Sequence, residues 1–244
     1  MKLHYSIAGA GVPIVLTSGL GDTSEVWTGL WDQLHQQARA LIWDLRGHGQ
    51  SCADPLADYR PSLALSDLGE MLAAAGGSSD NPAVLIGHSL GGYLCLQWAI
   101  EHPNSVRALV LIATGPGYRD DTARTSWNEF VSRLPLPASV QPAARGLAIQ
   151  NDSRVINGLA SIQVPTLVVV GQEDRNFLAA KDYLLRKIPG SQAVVVAGAK
   201  HSVHRTHPEQ VSQAILAFLQ ACGVLPAADH QSIGKTGLRP FFGQ

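Results

Sequence analysis

A serine hydroxyl is a weak nucleophile until a base takes its proton and nearby donors accept the negative charge that follows. The run Gly87-His88-Ser89-Leu90-Gly91-Gly92 offers such a serine between an apolar stretch at 83–86 and a helix candidate at 93–101. Small residues two before and two after Ser89 let the chain turn sharply from strand to helix. That turn exposes the hydroxyl and sets a helix N-terminus beside it, where negative charge is favoured. A glycine-rich turn with an ordinary serine is the plainer alternative, and the flanking strand and helix signals weigh against it.

The base has nine histidines to come from, and His201 in Gly198-Ala199-Lys200-His201-Ser202 is the best placed. It follows the last strand candidate and precedes the final helix, in a loop able to carry it over the edge of a sheet. Spacing alone leaves His204 open. The base needs an acceptor that fixes its tautomer. Asp174 in Gly171-Gln172-Glu173-Asp174 follows another strand candidate, with Glu173 as the alternative, and either carboxylate also suits the cap of the helix that follows. The order Ser89, Asp174, His201 is the one that an elbow of this kind requires. For the oxyanion, the backbone N–H of Leu90 is one expected donor. Leu20, in the turn Ser18-Gly19-Leu20-Gly21-Asp22, is the other.

Elements must hold these residues. Apolar, β-branched runs at 14–17, 40–43, 83–87, 106–113, 166–171 and 193–197 read as buried strands. Between them, Val26, Leu30, Trp31 and Leu34 share a helical face, as do Leu68, Met71, Leu72 and Ala75, and later Val211, Ile215, Phe218 and Leu219. The alternation predicts an α/β fold: a largely parallel sheet with helices on both faces and ligands gathered at the carboxyl ends of its strands. From 115 to 163 no strand signal appears, and Trp127, Phe130, Val131 and Leu134 fall at helical spacing before Pro135, Pro137 and Pro142. This segment is expected to be a small helical insertion, its apolar stripe packing on the sheet or lining an acyl pocket, with Trp127 and Phe130 as candidate substrate contacts. Arg119, Arg124, Arg133 and Arg145 are candidates to meet a substrate carboxylate, although solvated arginines are commoner.

At 244 residues the chain suits one large α/β domain over 1–222, with 115–163 inserted as a cap and 223–244 as a loosely ordered tail pinned by Phe241 and Phe242. A formal charge of −1 gives little field for nucleic acid or anionic lipid. Hydrophobic residues at 45% and charged ones at 15% exclude a disordered chain. The three cysteines, Cys52, Cys95 and Cys222, show no paired spacing, which disfavours a disulfide framework or a cysteine zinc site. With no apolar run of about 18 residues and no secretory h-region, the expectation is a cytoplasmic protein off the membrane. Its oligomeric state stays open.

Taken together, these motifs resemble the α/β-hydrolase superfamily over roughly residues 5–219. The marks are the Ser18–Gly21 turn with Trp27 beyond it, Asp44-Leu45-Arg46-Gly47-His48-Gly49-Gln50-Ser51, the Ser89 elbow, the Gly171–Asp174 and Gly198–His201 segments, and His207-Pro208-Glu209. The resemblance implies an eight-stranded, mostly parallel sheet, a helical cap after the sixth strand and a triad matching Ser89, His201 and Asp174. It also implies that Asp44–Ser51 is chiefly structural, with His48 a candidate for the pocket wall. Ser18-Gly19 stands where the family often has His-Gly and looks more like the turn of enol-lactonase relatives. Lys200 replaces a usual glycine. Epoxide hydrolases and haloalkane dehalogenases of this fold carry aspartate at the elbow and are set aside.

The reaction so implied is hydrolysis of small carboxylic esters, lactones or thioesters through an acyl-Ser89 intermediate, with no metal or organic cofactor. Cleavage of a carbon–carbon bond or opening of an enol-lactone shares the same machinery. A non-catalytic receptor on this fold is the remaining class, and an intact triad disfavours it.

Overall fold

The computed structural model describes residues 2–51 and 58–227. Cys52, most of the expected tail and both of its phenylalanines lie outside the described residues. Among the described residues no helix is long and apolar enough to cross a membrane.

Seven strands form one sheet: β1 (Tyr5–Ala8), β2 (Pro13–Thr17), β3 (Arg39–Trp43), β4 (Ala83–His88), β5 (Val106–Ile112), β6 (Thr166–Gly171) and β7 (Gln192–Val196), in the order β1-β3-β2-β4-β5-β6-β7. β1 runs antiparallel to β3, with Tyr5 opposite Trp43, and every other pairing is parallel. All six apolar runs become strands. β1 is the addition, an edge strand whose half-exposed residues give no continuous apolar signal. The described sheet therefore has seven strands where the resemblance implies eight, and the helical insertion follows β5 in this numbering.

Period-two alternation divides the core into two layers. Leu85 of β4 faces one layer together with Leu68 and Met71 of α2 (Pro61–Ala74) and Leu94 of α3 (Leu90–Glu101). Its neighbours Val84 and Ile86 face the other, with Leu30 and Leu34 of α1 (Thr28–Leu34) and Ile215 and Phe218 of α9 (Pro208–Ala221). Every residue of β4 is buried, and from Ala83 to Gly87 the central strand is apolar instead of alternating. Each such side chain contributes about 1.5–3 kcal/mol on burial, and together they hold the strand ends rigidly. A large buried side chain with a polar atom is also satisfied: the Trp43 indole donates to Thr17 Oγ1 at 3.1 Å.

Between β5 and β6 lie α4 (Asp121–Ser132), α5 (Gln141–Leu147) and α6 (Arg154–Gly158). Asp120 caps α4 by accepting the Ala123 N–H at 2.8 Å, and the prolines that follow keep the helix from continuing. The apolar stripe is only partly used for packing. Val131 is buried, Trp127 is half-buried against the α2–α3 layer, and Phe130 is 53% exposed. Past β6 come α7 (Arg175–Lys187), β7 and the short α8 (Val203–Thr206).

Candidate active site

The elbow is built where β4 turns into α3. Ser89 takes a left-handed φ of 50°, which a residue with a Cβ adopts only under constraint. Its N–H donates to the Ile112 carbonyl at 2.9 Å, and its own carbonyl accepts from Thr114 Oγ1 at 2.7 Å. These ties to the end of β5 keep the strained turn in place. Glycines flank it for a steric reason: a Cβ on Gly87 would meet Gly91 and Gly92 backbone at 2.5 Å, and one on Gly91 would clash with the Thr17 carbonyl oxygen. The helix thus starts hard against β2.

Three loops at the carboxyl ends of β4, β6 and β7 bring the expected side chains together. His201 Nε2 lies 3.1 Å from Ser89 Oγ, and His201 Nδ1 lies 2.9 Å from Asp174 Oδ2. In the neutral ring, Nδ1–H donates to the carboxylate and bare Nε2 accepts from the serine hydroxyl. The Asp174 side chain is 6% exposed and that of His201 40%, so the carboxylate is sheltered while the ring reaches solvent. Asp174 holds the N-cap position of α7, yet its side chain makes no capping bond and is left for the imidazole. Glu173 is exposed, and His204 is buried on α8 against Trp27 and His88. Glu173 makes no bond to His201, and His204 makes none to Ser89.

Leu90 opens α3, where the first N–H groups have no partner within the helix. Leu20 lies in the turn after β2, and its N–H has no hydrogen-bond partner among the described residues. That turn is fixed from beneath. Ser24 N–H donates to Asp44 Oδ1 at 2.6 Å, the Trp27 indole donates to Ser18 Oγ at 2.9 Å, and Ser18 Oγ donates to the Thr23 carbonyl at 3.1 Å. Serine at position 18 thus links the turn to Trp27. His48 is a correction to the pocket-wall expectation: it is buried, donates from Nδ1 to the Arg46 carbonyl at 3.1 Å, and accepts the Gly21 N–H on Nε2 at 3.0 Å. Burial holds its pKa below the ordinary imidazole value, which keeps Nε2 bare for that bond.

Three neighbours had little signal in the sequence. His88, inside the elbow motif, donates from Nε2 to the His201 carbonyl at 3.2 Å, so the residue before Ser89 holds the backbone of His201. The Phe177 ring sits 4.7 Å from that of His201, on a helix whose apolar face gives no hint of the site. Leu136, in the loop after α4, reaches the Ser18–Asp22 turn: its Cδ2 would lie 3.1 Å from a Cβ on Gly21. Trp127 donates its indole N–H to the Ala148 carbonyl at 3.0 Å and rests near Phe130. The cap arginines are engaged elsewhere or exposed. Arg119 donates to Asn157, Arg124 pairs with Asp121 and Arg133 with Glu129, while Arg145 is exposed. Cys95, the nearest thiol in α3, is buried and pushed up to about 12, which removes it as a nucleophile.

The family model described as the alpha/beta hydrolase fold matches residues 12–153. The chain is 29% identical over 250 residues to polyketide synthase ThaQ of Burkholderia thailandensis, a match that takes in 86% of this chain and 12% of that protein. The chain thus spans about an eighth of the length of that curated relative. It is 26% identical over 266 residues to the pimeloyl-[acyl-carrier protein] methyl ester esterase of Chromobacterium violaceum, covering 90% of this chain and 99% of that one. Among solved structures, a thermophilic esterase from Thermogutta terrifontis superposes with a TM-score of 0.75 at 26% identity, over 90% of this chain and 93% of the other.

Proposed function

We propose, from the premise that this chain belongs to the α/β-hydrolase family and is an enzyme of hydrolase type, that it cleaves small carboxylic esters, lactones or thioesters through an acyl-Ser89 intermediate. One observation carries the reading: the continuous hydrogen-bond chain Asp174–His201–Ser89, made by residues far apart in sequence. His201 Nε2 takes the hydroxyl proton as Ser89 Oγ attacks the substrate carbonyl. The oxyanion that forms is met by the N–H groups of Leu20 and Leu90. Collapse of the tetrahedral species expels the alcohol or thiol, which receives the proton from His201. Water then attacks the acyl-serine with His201 again as base, and Asp174 stabilises the imidazolium each time it forms. Each step is acid–base and nucleophilic, so the chain's own residues supply the chemistry.

Support also comes from the esterases among the similar proteins, one acting on a methyl ester by its name. The helices between β5 and β6 then serve as a cap that shapes the acyl pocket, with Trp127 and Phe130 as its candidate contacts. A cytoplasmic setting and a small-molecule substrate complete the proposal.

The test is covalent labelling with a fluorophosphonate, beside a panel of p-nitrophenyl esters. One label per chain, mapped to Ser89 and absent in Ser89→Ala, is expected together with ester turnover. A folded protein that neither labels nor hydrolyses any ester sinks the reading, and turnover confined to vinylogous diketones moves it to carbon–carbon cleavage.

A further inference from the structure

Beneath the oxyanion turn, three side chains outside the triad converge with unmet hydrogen-bonding capacity. Asp22, His88 and His204 each offer one ligand atom, and these atoms lie within 4.8 Å of one another. The rings of His88 and His204 are buried, and His88 Nδ1 and both nitrogens of His204 lack a protein partner among the described residues. Buried polar atoms of this kind call for an explanation, since an unmade hydrogen bond there costs about 1–3 kcal/mol.

The orientation of His88 narrows the explanation. Its Nε2–H is committed to the His201 carbonyl at 3.2 Å, so Nδ1 presents a lone pair. That lone pair faces Asp22 Oδ2 at 3.6 Å, one acceptor opposite another. A ring held by one N–H on a carbonyl, with the other nitrogen bare, is the usual state of a metal-ligating histidine. Asp22 is prepared in the same way: Oδ1 accepts from Arg205 at 3.1 Å, which leaves Oδ2 free to turn inward. Two imidazoles and a carboxylate suit zinc and its neighbours better than calcium or magnesium. Access exists too, through a cavity of about 470 Å³ lined by Asp22, Glu25, Val26, His204 and Arg205.

We propose that Asp22, His88 and His204 form a binding site for a divalent transition-metal cation of the zinc class. Water completes the coordination from the cavity side. Metal bonds of about 2.0–2.1 Å require the His204 ring and the Asp22 carboxylate to close in by about 1 Å. Asp22 ends the turn that carries Leu20, His88 precedes Ser89, and His204 belongs to the segment after His201, so one cation would clamp all three loops of the site. The inference stands apart from the ester-cleaving reading, because none of its ligands belongs to the triad.

The test uses the full chain, stripped with chelator and titrated with Zn²⁺ by calorimetry and with Co²⁺ by visible absorption. One equivalent is expected to bind, with the strong absorption of a low-coordinate cobalt site. Asp22→Asn and His204→Phe should each weaken binding at least about 100-fold, and His201→Ala should bind as the native chain does. Circular dichroism checks that each variant is folded, and His204→Gln replaces His204→Phe if the latter is not. Absence of one-equivalent binding overturns the site, as does binding that survives both ligand variants. So does binding lost with His201→Ala, which would put the metal on the triad instead.

Discussion

The Ser18–Asp22 turn and the segment after α4 touch at Leu136, yet they are anchored by different means. The turn hangs on buried polar partners: Asp44 holds Ser24, His48 holds Gly21, and Ser18 holds Trp27. In a low-dielectric interior such bonds are strong and directional, and they hold the backbone of the turn closely in place. Of the helices after β5, α5 and α6 send Ala143, Leu147 and Val155 into the core, whereas α4 buries only Val131 and otherwise rests on half-buried aromatic packing and on ion pairs in water. Polar precision is thus concentrated at the strand ends, and loose packing in α4 of the insertion.

The sharpest way to break this contrast is to remove one arginine from each region. Arg46 forks onto Asp67 with two contacts of 2.6 Å, at side-chain exposures of 9% and 6%, and its remaining N–H groups reach the Asp58 and Leu63 carbonyls. Arg46→Met strands a buried carboxylate and should cost about 3–5 kcal/mol in urea unfolding. Adding Asp67→Leu should recover part of that loss. Arg133→Ala removes an i,i+4 pair with Glu129 whose members are 76% and 57% exposed, and stability should change by no more than about 0.5 kcal/mol. Similar losses from both arginines would erase the distinction.

A smaller effect comes from acid. His48 has its pKa lowered in the folded chain by burial, so below its unfolded value of about 6.5 the unfolded chain takes up the proton first. Stability therefore rises with pH through the window below about 6.5 and is lost as pH falls through it, by at most about 1.4 kcal/mol per pH unit for this one group. Replacing it, as in His48→Asn, should flatten the slope of unfolding free energy between pH 6.5 and 5. The insertion at 115–163 contains no histidine, so it adds no such slope. An unchanged slope in the variant would mean that His48 is protonated in the fold, and the Gly21 bond would have to be abandoned.

The same contrast sets how much was legible in the sequence. Ser89 and Asp174 were readable because each follows a continuous apolar run, and a strand buried on both faces writes that run plainly. His201 was readable because the run at 193–196 is apolar in sequence although β7 is only partly buried. β1 was silent, since a half-exposed edge strand has neither a full apolar run nor clean alternation. The choice between His201 and His204 needed coordinates: two histidines three residues apart differ in which way a short loop turns them, and spacing does not encode that. His88 and Phe177 were hidden inside segments already explained by another signal, an elbow and an amphipathic helix. For the insertion, the apolar stripe correctly marks α4 but does not say that Val131 is buried while Phe130 stays in solvent. Helical periodicity identifies a face and leaves its depth undetermined.

The gentlest probe of the contrast concerns selectivity. Trp127 is tied to α5's end through the Ala148 carbonyl and packs between Tyr118 and Phe130, at ring separations of 6.0 and 5.8 Å. It makes no hydrogen bond or ring contact with Ser89, Asp174 or His201. Truncating it should therefore leave the chemistry of an acetyl ester nearly intact while removing apolar surface that only a longer acyl chain would meet. The expected result for Trp127→Ala is a drop of about tenfold in kcat/KM for p-nitrophenyl octanoate relative to the acetate, the size of a lost apolar contact in a pocket. Equal losses on both esters would show that the tryptophan steadies the strand-end loops, and the division between closely held strand ends and a loosely packed α4 would then fail at the place where it was drawn.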